Sequence, residues 1–179
     1  PATMPLVRLI NSAVESGDEM IPAFRDEIIK FAGNDLLLYR ADSPQELVDE
    51  QEKVWDAALV KLAREFDVAF QPTIGIIHQA QPASTLEKLA KTLEGLSLLQ
   101  LTALVSITGL TGSGLLAIAL QNELLSPDDV WLAAHVDEDH QIRLWGEDEE
   151  ATERRNKRKV EFDKAVFVVE RLREHAKAG

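Results

Sequence analysis

The sequence contains no cysteine among its 179 residues, and this absence excludes disulfides and thiolate metal sites. No run of side chains approaches the ~18 apolar residues of a membrane span, and no charged-then-apolar signal opens the chain. Apolar residues nevertheless make up 45% of the sequence, far more than a disordered acidic tail contains. We therefore expect a single folded domain over residues 1–179.

Basic residues are also scarce relative to acidic ones. Lys and Arg number 19 against 31 Asp and Glu, which gives a formal net charge of -12. Such a negative field repels phosphate backbones and anionic lipid surfaces. Nucleic acid and membranes are therefore poor candidate partners, while a basic surface on another protein is a favourable one.

The spacing of apolar residues predicts helices through the first third of the chain. Residues 5–31 show helical spacing that is interrupted at Ser16-Gly17-Asp18. The next helix is predicted from about Ser43 to Glu65. Ser43 is a suitable N-cap, Pro44 suits the first helical position, and Glu46 would complete a capping box.

The pattern changes near residues 66–79, where isoleucines alternate with Pro72 and Gly75. This composition predicts two short strands or one bent extended segment. The earlier run 36–39 fits a buried strand and the end of a helix equally well. Ser84 and Glu87 form a second capping-box pattern and predict another helix after the extended segment.

Residues 96–125 carry no charge until Glu123, and a helical segment that is apolar on all sides is typical of the central helix of a bundle. Ser126-Pro127-Asp128-Asp129 predicts the start of another helix, and a last helix is predicted from about Glu150 to Ala176. The expected fold is therefore mainly α, an irregular multi-helix bundle with a small extended or β element near residues 66–79.

The glycine-rich stretch Thr108–Gly114 resembles a phosphate-binding loop only superficially. It lacks the lysine that would reach the phosphates, and no strand clearly precedes it. Glycines and small hydroxyl residues within a buried helical stretch more often allow close helix packing or a kink. We expect the packing role here.

Metal and nucleophile chemistry are weakly supported. His135 and Asp139 have helical i,i+4 spacing, but metal sites usually need a third ligand and the sequence contains no His-Glu-x-x-His pattern. We interpret His135 as a solvated histidine on an acidic face. No Gly-x-Ser-x-Gly elbow is present either, so we expect no enzyme activity, no metal and no cofactor.

The most informative segment runs from residue 130 to 153. On a single helix, the spacing of Trp131, Glu138 and Trp145 would place a carboxylate on an apolar stripe between two tryptophans, with Gln141 beside it. A carboxylate in such a position is costly unless it is paired, so it usually has a purpose. Binding of a partner is one interpretation, and an internal salt bridge is the other. The salt-bridge candidates are Arg8, Arg40 and Arg143.

Five segments in order resemble the family of assembly chaperones for the ATP synthase catalytic head that is often called ATP-twelve. These segments are Met4-Pro5-Leu6-Val7-Arg8-Leu9 with Asn11 and Ala13; Leu37-Leu38-Tyr39-Arg40-Ala41-Asp42 with Pro44, Leu47, Val48, Gln51, Trp55 and Asp56; Gly75, His78, Gln81 and Pro82; Leu110-Thr111-Gly112-Ser113; and Asp137-Glu138, Gln141, Trp145-Gly146, Asp148, Glu150 and Ala151.

The resemblance implies a non-catalytic chaperone that binds the unassembled α subunit and masks the surface that α later offers to β. It also implies a monomer when free, located in the bacterial cytoplasm or the mitochondrial matrix. The last segment and the tryptophan stripe supply the candidate partner-binding residues. They are Glu138, Asp137, Gln141, Trp145, Trp131 and Asp148.

Three points differ from the family pattern. Val7 stands where a threonine is usual, and His140 stands where a large aromatic residue is usual. The β-rich segment that precedes the Met-Pro-Leu block in the family is expected to be absent from this chain. Two alternative functions remain open from the residues alone: a helical adaptor for another partner, and a metal-dependent hydrolase that uses His135, Asp139 and His140.

Overall fold

The computed structural model describes residues 4–178, apart from the side chains of residues 4–7, 9 and 16, and it is mainly helical. Ten α-helices follow one another in this part of the chain. They are α1 (Met4–Ser16), α2 (Ile21–Gly33), α3 (Gln45–Gln51), α4 (Ala57–Phe66), α5 (Ala83–Lys91), α6 (Leu98–Thr111), α7 (Gly114–Gln121), α8 (Pro127–Ala134), α9 (Val136–Trp145) and α10 (Glu149–Ala178). The predicted helical bundle is confirmed.

The core surrounds α6, which packs against α1, α2, α7 and α10. Nearly every turn of α6 and α7 is buried, including Leu101, Leu104, Ile107 and Leu115. Helix α10 contributes Phe162 and Val169, which have no exposed surface. A helix without a polar face is stable only when neighbours cover all its sides. The predicted central position of the uncharged segment, residues 96–125, is therefore confirmed.

This central segment is two helices and not one. Helix α6 ends at Gly112, whose φ of 74° is left-handed, and α7 begins after Ser113, whose side chain accepts a hydrogen bond from the backbone N–H of Leu116 at 3.0 Å. Gly114 then lies so close to α2 that a Cβ at this position would collide with the backbone carbonyl of Ile28. The glycines of the apparent phosphate loop thus serve a turn and a close helix approach.

The helical stretch predicted from residue 43 is continuous from Gln45 to Phe66, with a π-helical segment, Glu52–Asp56, between α3 and α4. Trp55 lies in this segment, is fully buried, and donates a hydrogen bond from its indole Nε1 to the carbonyl of Ala133 at 2.9 Å. The π-helical segment therefore joins the first half of the chain to the end of α8.

Both predicted capping boxes are wrong. Helix α3 begins at Gln45, so the extended Pro44 occupies the N-cap position and Ser43 lies outside the helix. Helix α5 begins at Ala83, so Pro82 is the N-cap and Ser84 already belongs to the first turn. In each case the extended proline precedes the helix and its carbonyl accepts the first helical hydrogen bonds, which leaves the serine hydroxyl without the capping role.

The extended element near residues 66–79 is confirmed as one strand, β2 (Thr73–Ile74), which pairs in parallel with β1 (Tyr39–Arg40). The apolar run before β1 is a short 3-10 helix, Leu36–Leu38, so the strand itself begins only at Tyr39. After β2 the chain turns at Gly75, where φ is 91°, and its N–H donates to the carbonyl of Arg40 at 2.9 Å.

Across residues 4–178, no helix is both long enough and apolar enough to cross a membrane.

Candidate functional site

Helices α8 and α9 separate at His135, so the predicted single helix from Trp131 to Trp145 is wrong. His135 has φ of -120° and ψ of 18°, and α9 begins one residue later. The break changes the direction of the chain, so a spacing counted through it no longer describes one helix face. The two tryptophans consequently lie in different environments.

Trp131 faces the protein interior. Its ring packs 4.1 Å from the ring of His135 and 5.0 Å from the ring of Phe162, measured between centroids. The Lys159 ammonium lies 5.5 Å from the Trp131 ring centre, and the Arg155 guanidinium lies 6.0 Å from it. Trp131 is therefore part of the packing between α8 and α10.

Trp145 is the last residue of α9 and is 81% exposed. Gly146, with φ of 82°, ends the helix, and α10 begins at Glu149. The carbonyl of Asp148 accepts a hydrogen bond from the backbone N–H of Thr152. A short turn thus joins two helices and leaves the indole in solvent. An exposed tryptophan at the end of a helix contributes little to packing and is typical of a contact surface.

A cleft of about 450 Å³ lies between the end of α9 and the first turns of α10. Four of the six predicted binding residues line this cleft, and they are Glu138, Gln141, Trp145 and Asp148. Its charged lining also includes the carboxylates of Asp139 and Glu147 and the guanidinium of Arg155. We refer to this site as the α9–α10 cleft.

Glu138 is paired within the chain, by residues that the sequence did not single out. One carboxylate oxygen lies 3.7 Å from Arg155 and the other lies 3.5 Å from Arg158, both on α10. Arg155 makes its shorter contact, 2.6 Å, with Asp139. The internal salt bridge is therefore real, although Arg8, Arg40 and Arg143 were the wrong partners. The Glu138 side chain is still 34% exposed, so its charge remains accessible from the cleft.

Asp137 points away from the cleft toward α3. It accepts a hydrogen bond of 2.7 Å from the side-chain amide of Gln51, which is almost fully buried. The other end of the Gln51 amide accepts a hydrogen bond of 2.9 Å from the backbone N–H of Ala41. Asp137 thus fixes the orientation of α9 relative to α3 and to the loop after β1.

His135 differs from its predicted setting, because it is buried, with 3% exposure. His140 is also buried, with 2% exposure. His135 Nδ1 lies 2.7 Å from the carbonyl of Trp131, and its Nε2 lies 3.3 Å from Arg158. Burial, followed by the neighbouring Arg155 and Arg158 charges, lowers the pKa of His135 below its ordinary value, despite the Trp131 hydrogen bond. The prediction of a solvated histidine is wrong, because the break between α8 and α9 turns this side chain inward.

The contacts of these residues also bear on metal binding. Asp139 is occupied by Arg155, and a guanidinium faces the outer nitrogen of His135. Within residues 4–178 no three His, Asp or Glu side chains lie close enough together to hold a metal ion. The hydrolase alternative therefore has no supporting geometry at the residues on which it depends.

A buried carboxylate at the α6–α7 turn, that of Asp35, was not identified from the sequence. Asp35 is fully buried and accepts hydrogen bonds from the hydroxyl of Ser113 at 2.5 Å, from the N–H of Leu115 at 2.9 Å, and from the N–H of Leu37 at 3.2 Å. Burial raises the pKa of Asp35 to about 7, although these hydrogen bonds favour the ionised form. The only sequence signal was the polar pair Asn34-Asp35 directly after a helix.

A second exposed apolar feature lies at the small sheet. Ile74 is 66% exposed, Ile76 is 96% exposed and Ile77 is 79% exposed. We call these three residues the isoleucine loop. Single exposed apolar residues are ordinary, but three within four positions form a patch that commonly marks a contact surface.

A family model and two solved structures agree on one family. The family model described as ATP12 chaperone protein matches residues 1–63. The crystal structure of Atp12 from Paracoccus denitrificans is 31% identical, with a TM-score of 0.87 over 95% of this chain and 73% of that chain. A mutant of the same Paracoccus protein gives 30% identity and the same TM-score.

A third solved structure, the Atu1473 protein from Agrobacterium tumefaciens, is 37% identical with a TM-score of 0.91 over 96% of this chain. The present chain spans 65% of the length of the Agrobacterium protein.

Proposed function

Because the chain belongs to the ATP12 chaperone family, we propose that it is an assembly chaperone of the ATP synthase catalytic head and that its partner is the unassembled α subunit. Family membership is the observation that carries this proposal. The resemblance extends beyond residues 1–63, because three of the five sequence segments that resemble the family follow residue 63. The last of these segments supplies much of the lining of the α9–α10 cleft.

The physical task of such a chaperone is to cover apolar surface. A subunit that awaits assembly exposes the surface that its neighbour will bury, and such surfaces aggregate. This chain offers exposed apolar side chains of its own at Trp145 and at the isoleucine loop. Its net charge of -12 keeps it soluble and favours a basic patch on the partner.

We assign the partner contact to the α9–α10 cleft, with Glu138, Gln141, Trp145 and Asp148 as the contacting residues. Asp137 and Trp131 act indirectly in this proposal. Asp137 positions α9 through Gln51, and Trp131 supports α10 through Phe162. Arg155 and Arg158 hold Glu138 in place from α10.

The proposed activity is binding without catalysis, metal or cofactor, by a single domain that is a monomer when free. The proposed compartment is that of the family, the bacterial cytoplasm or the mitochondrial matrix. The helical adaptor alternative differs only in the identity of the partner, so a partner-selectivity experiment distinguishes the two.

The experiment mixes the purified chain with isolated α, with isolated β and with the assembled head, and measures soluble complexes by size-exclusion chromatography. We expect a complex with α alone, since the proposed target is the surface that α offers to β, and the assembled head has already buried that surface. Equal binding to α, β and an unrelated aggregating protein would reduce the chain to a general holdase. Absence of binding to α would reject the proposal.

A further inference from the structure

The three tryptophans of the chain differ in whether a cation lies over the indole ring. The Arg40 guanidinium lies 5.5 Å from the ring centre of Trp55. Trp131 has two cations near its ring, from Lys159 and Arg155. In the part of the chain that the structure describes, Trp145 has no cation over its ring and is also the exposed tryptophan. A cation over an indole face is attracted by the negative π surface, so Trp145 presents an unused site for one.

The surroundings of Trp145 favour a cation further. Glu147 and Asp148 line the same cleft, and both are exposed. The single basic group of the cleft, Arg155, is already engaged by Asp139 and Glu138. The cleft therefore combines an apolar wall, supplied by Ile142, Ala151 and the indole, with carboxylates that Arg155 does not contact within 4 Å.

From this geometry we infer that the α9–α10 cleft receives an arginine side chain of the partner, stacked on the Trp145 indole and hydrogen-bonded to the carboxylates of Glu147 and Asp148. The identity of the protein that supplies the arginine rests on the proposed function. The chemistry of the cleft is independent of it. Arginine fits better than lysine because its planar guanidinium can stack on an aromatic ring and bind a carboxylate through two N–H groups at once.

The first test uses small probes and needs no partner. The side-chain N–H resonances of the three tryptophans are followed by NMR during titration with Nα-acetylarginine amide, with its neutral analogue Nα-acetylcitrulline amide, and with Nα-acetyllysine amide. The Trp145 resonance is assigned by its absence in Trp145→Leu. We expect a saturable shift of this resonance with the arginine probe, a much smaller shift with lysine, and none with citrulline. Equal shifts with arginine and citrulline, or none with either, would overturn the inference.

The second test uses isolated α as the ligand. Trp145→Leu keeps an apolar side chain but removes the π surface, and we expect it to weaken binding roughly 3- to 30-fold. Trp145→Phe retains an aromatic face and should lose less. Asp148→Asn should also weaken binding, whereas Glu65→Gln, which removes an exposed charge on α4, should not. Binding of α that is indifferent to Trp145→Leu would overturn the arginine contact while leaving the proposed function intact.

The two tests separate the two failures. If wild-type protein does not bind α but its Trp145 resonance responds to the arginine probe, the proposed function fails and the chemistry assigned to the cleft stands. If α binds and the probe gives no response, the cleft assignment fails and the chaperone proposal stands.

Discussion

The α6–α7 turn and the α9–α10 turn each join two helices through a short polar segment, but they differ in the burial of the carboxylates beside them. At the α6–α7 turn, Asp35 is fully buried and each of its contacts lies within the fold. At the α9–α10 turn, Glu147 and Asp148 face solvent, and Glu138 is one-third exposed although it has two arginine neighbours. We therefore call the α6–α7 turn the closed turn and the α9–α10 turn the open turn.

The difference has an energetic consequence. A buried polar group without its partners is costly, so a change at the closed turn should reduce the stability of the fold. Ion pairs that remain partly exposed contribute little to stability, so a change at the open turn should leave the fold nearly unaffected. Any strong effect at the open turn should therefore appear in binding.

Gly114 tests the closed turn with the largest expected effect. Gly114→Ala would place a Cβ against the carbonyl of Ile28 and 2.9 Å from the backbone nitrogen of Ala32, and backbone atoms cannot move aside cheaply. We expect a loss of about 3 kcal/mol and a melting temperature lower by roughly 6 to 12 °C. The matched control is Gly109→Ala, where a Cβ meets no atom within 4 Å.

In α6, Gly109→Ala should raise stability by about 0.5–1 kcal/mol, because alanine favours the helix more than glycine does. Thermal melts of both variants measure the contrast. Equal changes in the two variants would contradict the account of the α6–α7 turn as a close helix contact.

Asp35 tests the same turn through pH. Its pKa is raised from 3.8 to about 7, so between these values the folded protein holds a proton that the unfolded chain releases. The stability that this proton contributes is fully present below pH 3.8 and is lost as pH rises through about 7. Over that range the free energy of unfolding should fall by about 1.4 kcal/mol per pH unit through this group.

Asp35→Asn has no proton to lose, so the measurement is the difference in free energy of unfolding between wild type and this variant at several pH values. The difference should fall as pH rises from 4.5 to 7.5. His135, whose pKa is lowered, destabilises both proteins equally as pH falls below its ordinary value, and its effect cancels. A difference that does not change with pH would show that Asp35 does not titrate in this range.

Glu138 tests the open turn. In Glu138→Gln, Arg155 keeps its 2.6 Å contact with Asp139, so stability should fall by less than about 1 kcal/mol. Binding to α should weaken by about 2–5 kcal/mol if the partner desolvates this charge. Melts and α-binding titrations on the same variant measure both quantities.

The control for Glu138 is Asp163→Asn, which removes the carboxylate of an exposed pair with Lys159 on α10 outside the cleft. It should change neither quantity appreciably. A large melting loss in Glu138→Gln with unchanged affinity per folded molecule would assign Glu138 to the fold and not to the partner.

Ile76 should show the smallest effect on stability. This side chain is 96% exposed, so Ile76→Ser should change stability by no more than about 0.5 kcal/mol. Loss of apolar contact surface should nevertheless reduce the amount of α that the chain keeps soluble, measured by light scattering. Val14→Ser on α1, where the side chain is 77% exposed, controls for removal of an apolar group elsewhere.

The sequence predicted helix content well because apolar periodicity is local. It identified the break at residues 16–18, a helical stretch ending near Glu65 and the long last helix, and the structure confirms all three. It failed at helix ends, as Ser43 and Ser84 show, because a proline directly before the helix takes the capping position. It indicated close helix packing or a kink at Thr108–Gly114, but it did not predict two separate helices there, since both sides of the turn at Gly112-Ser113 are equally apolar.

The candidate site was predicted in part. The α9–α10 cleft brings together Glu138, Gln141, Trp145 and Asp148 because they lie within 11 positions of one another, on α9 and in the turn that follows it. Trp131 was grouped with them through a spacing that the bend at His135 invalidates. The arginine partners of Glu138 could not be selected from the sequence, because that choice depends on how α10 folds back along α9.

The masking of α is the central claim, and displacement by β tests it most directly. A complex of this chain with isolated α is titrated with isolated β, and the released chain is measured by size-exclusion chromatography. If the chain covers the surface that α offers to β, each αβ pair that forms should release one chain, and no species should contain all three proteins. A stable complex of the chain with α and β together would contradict the account.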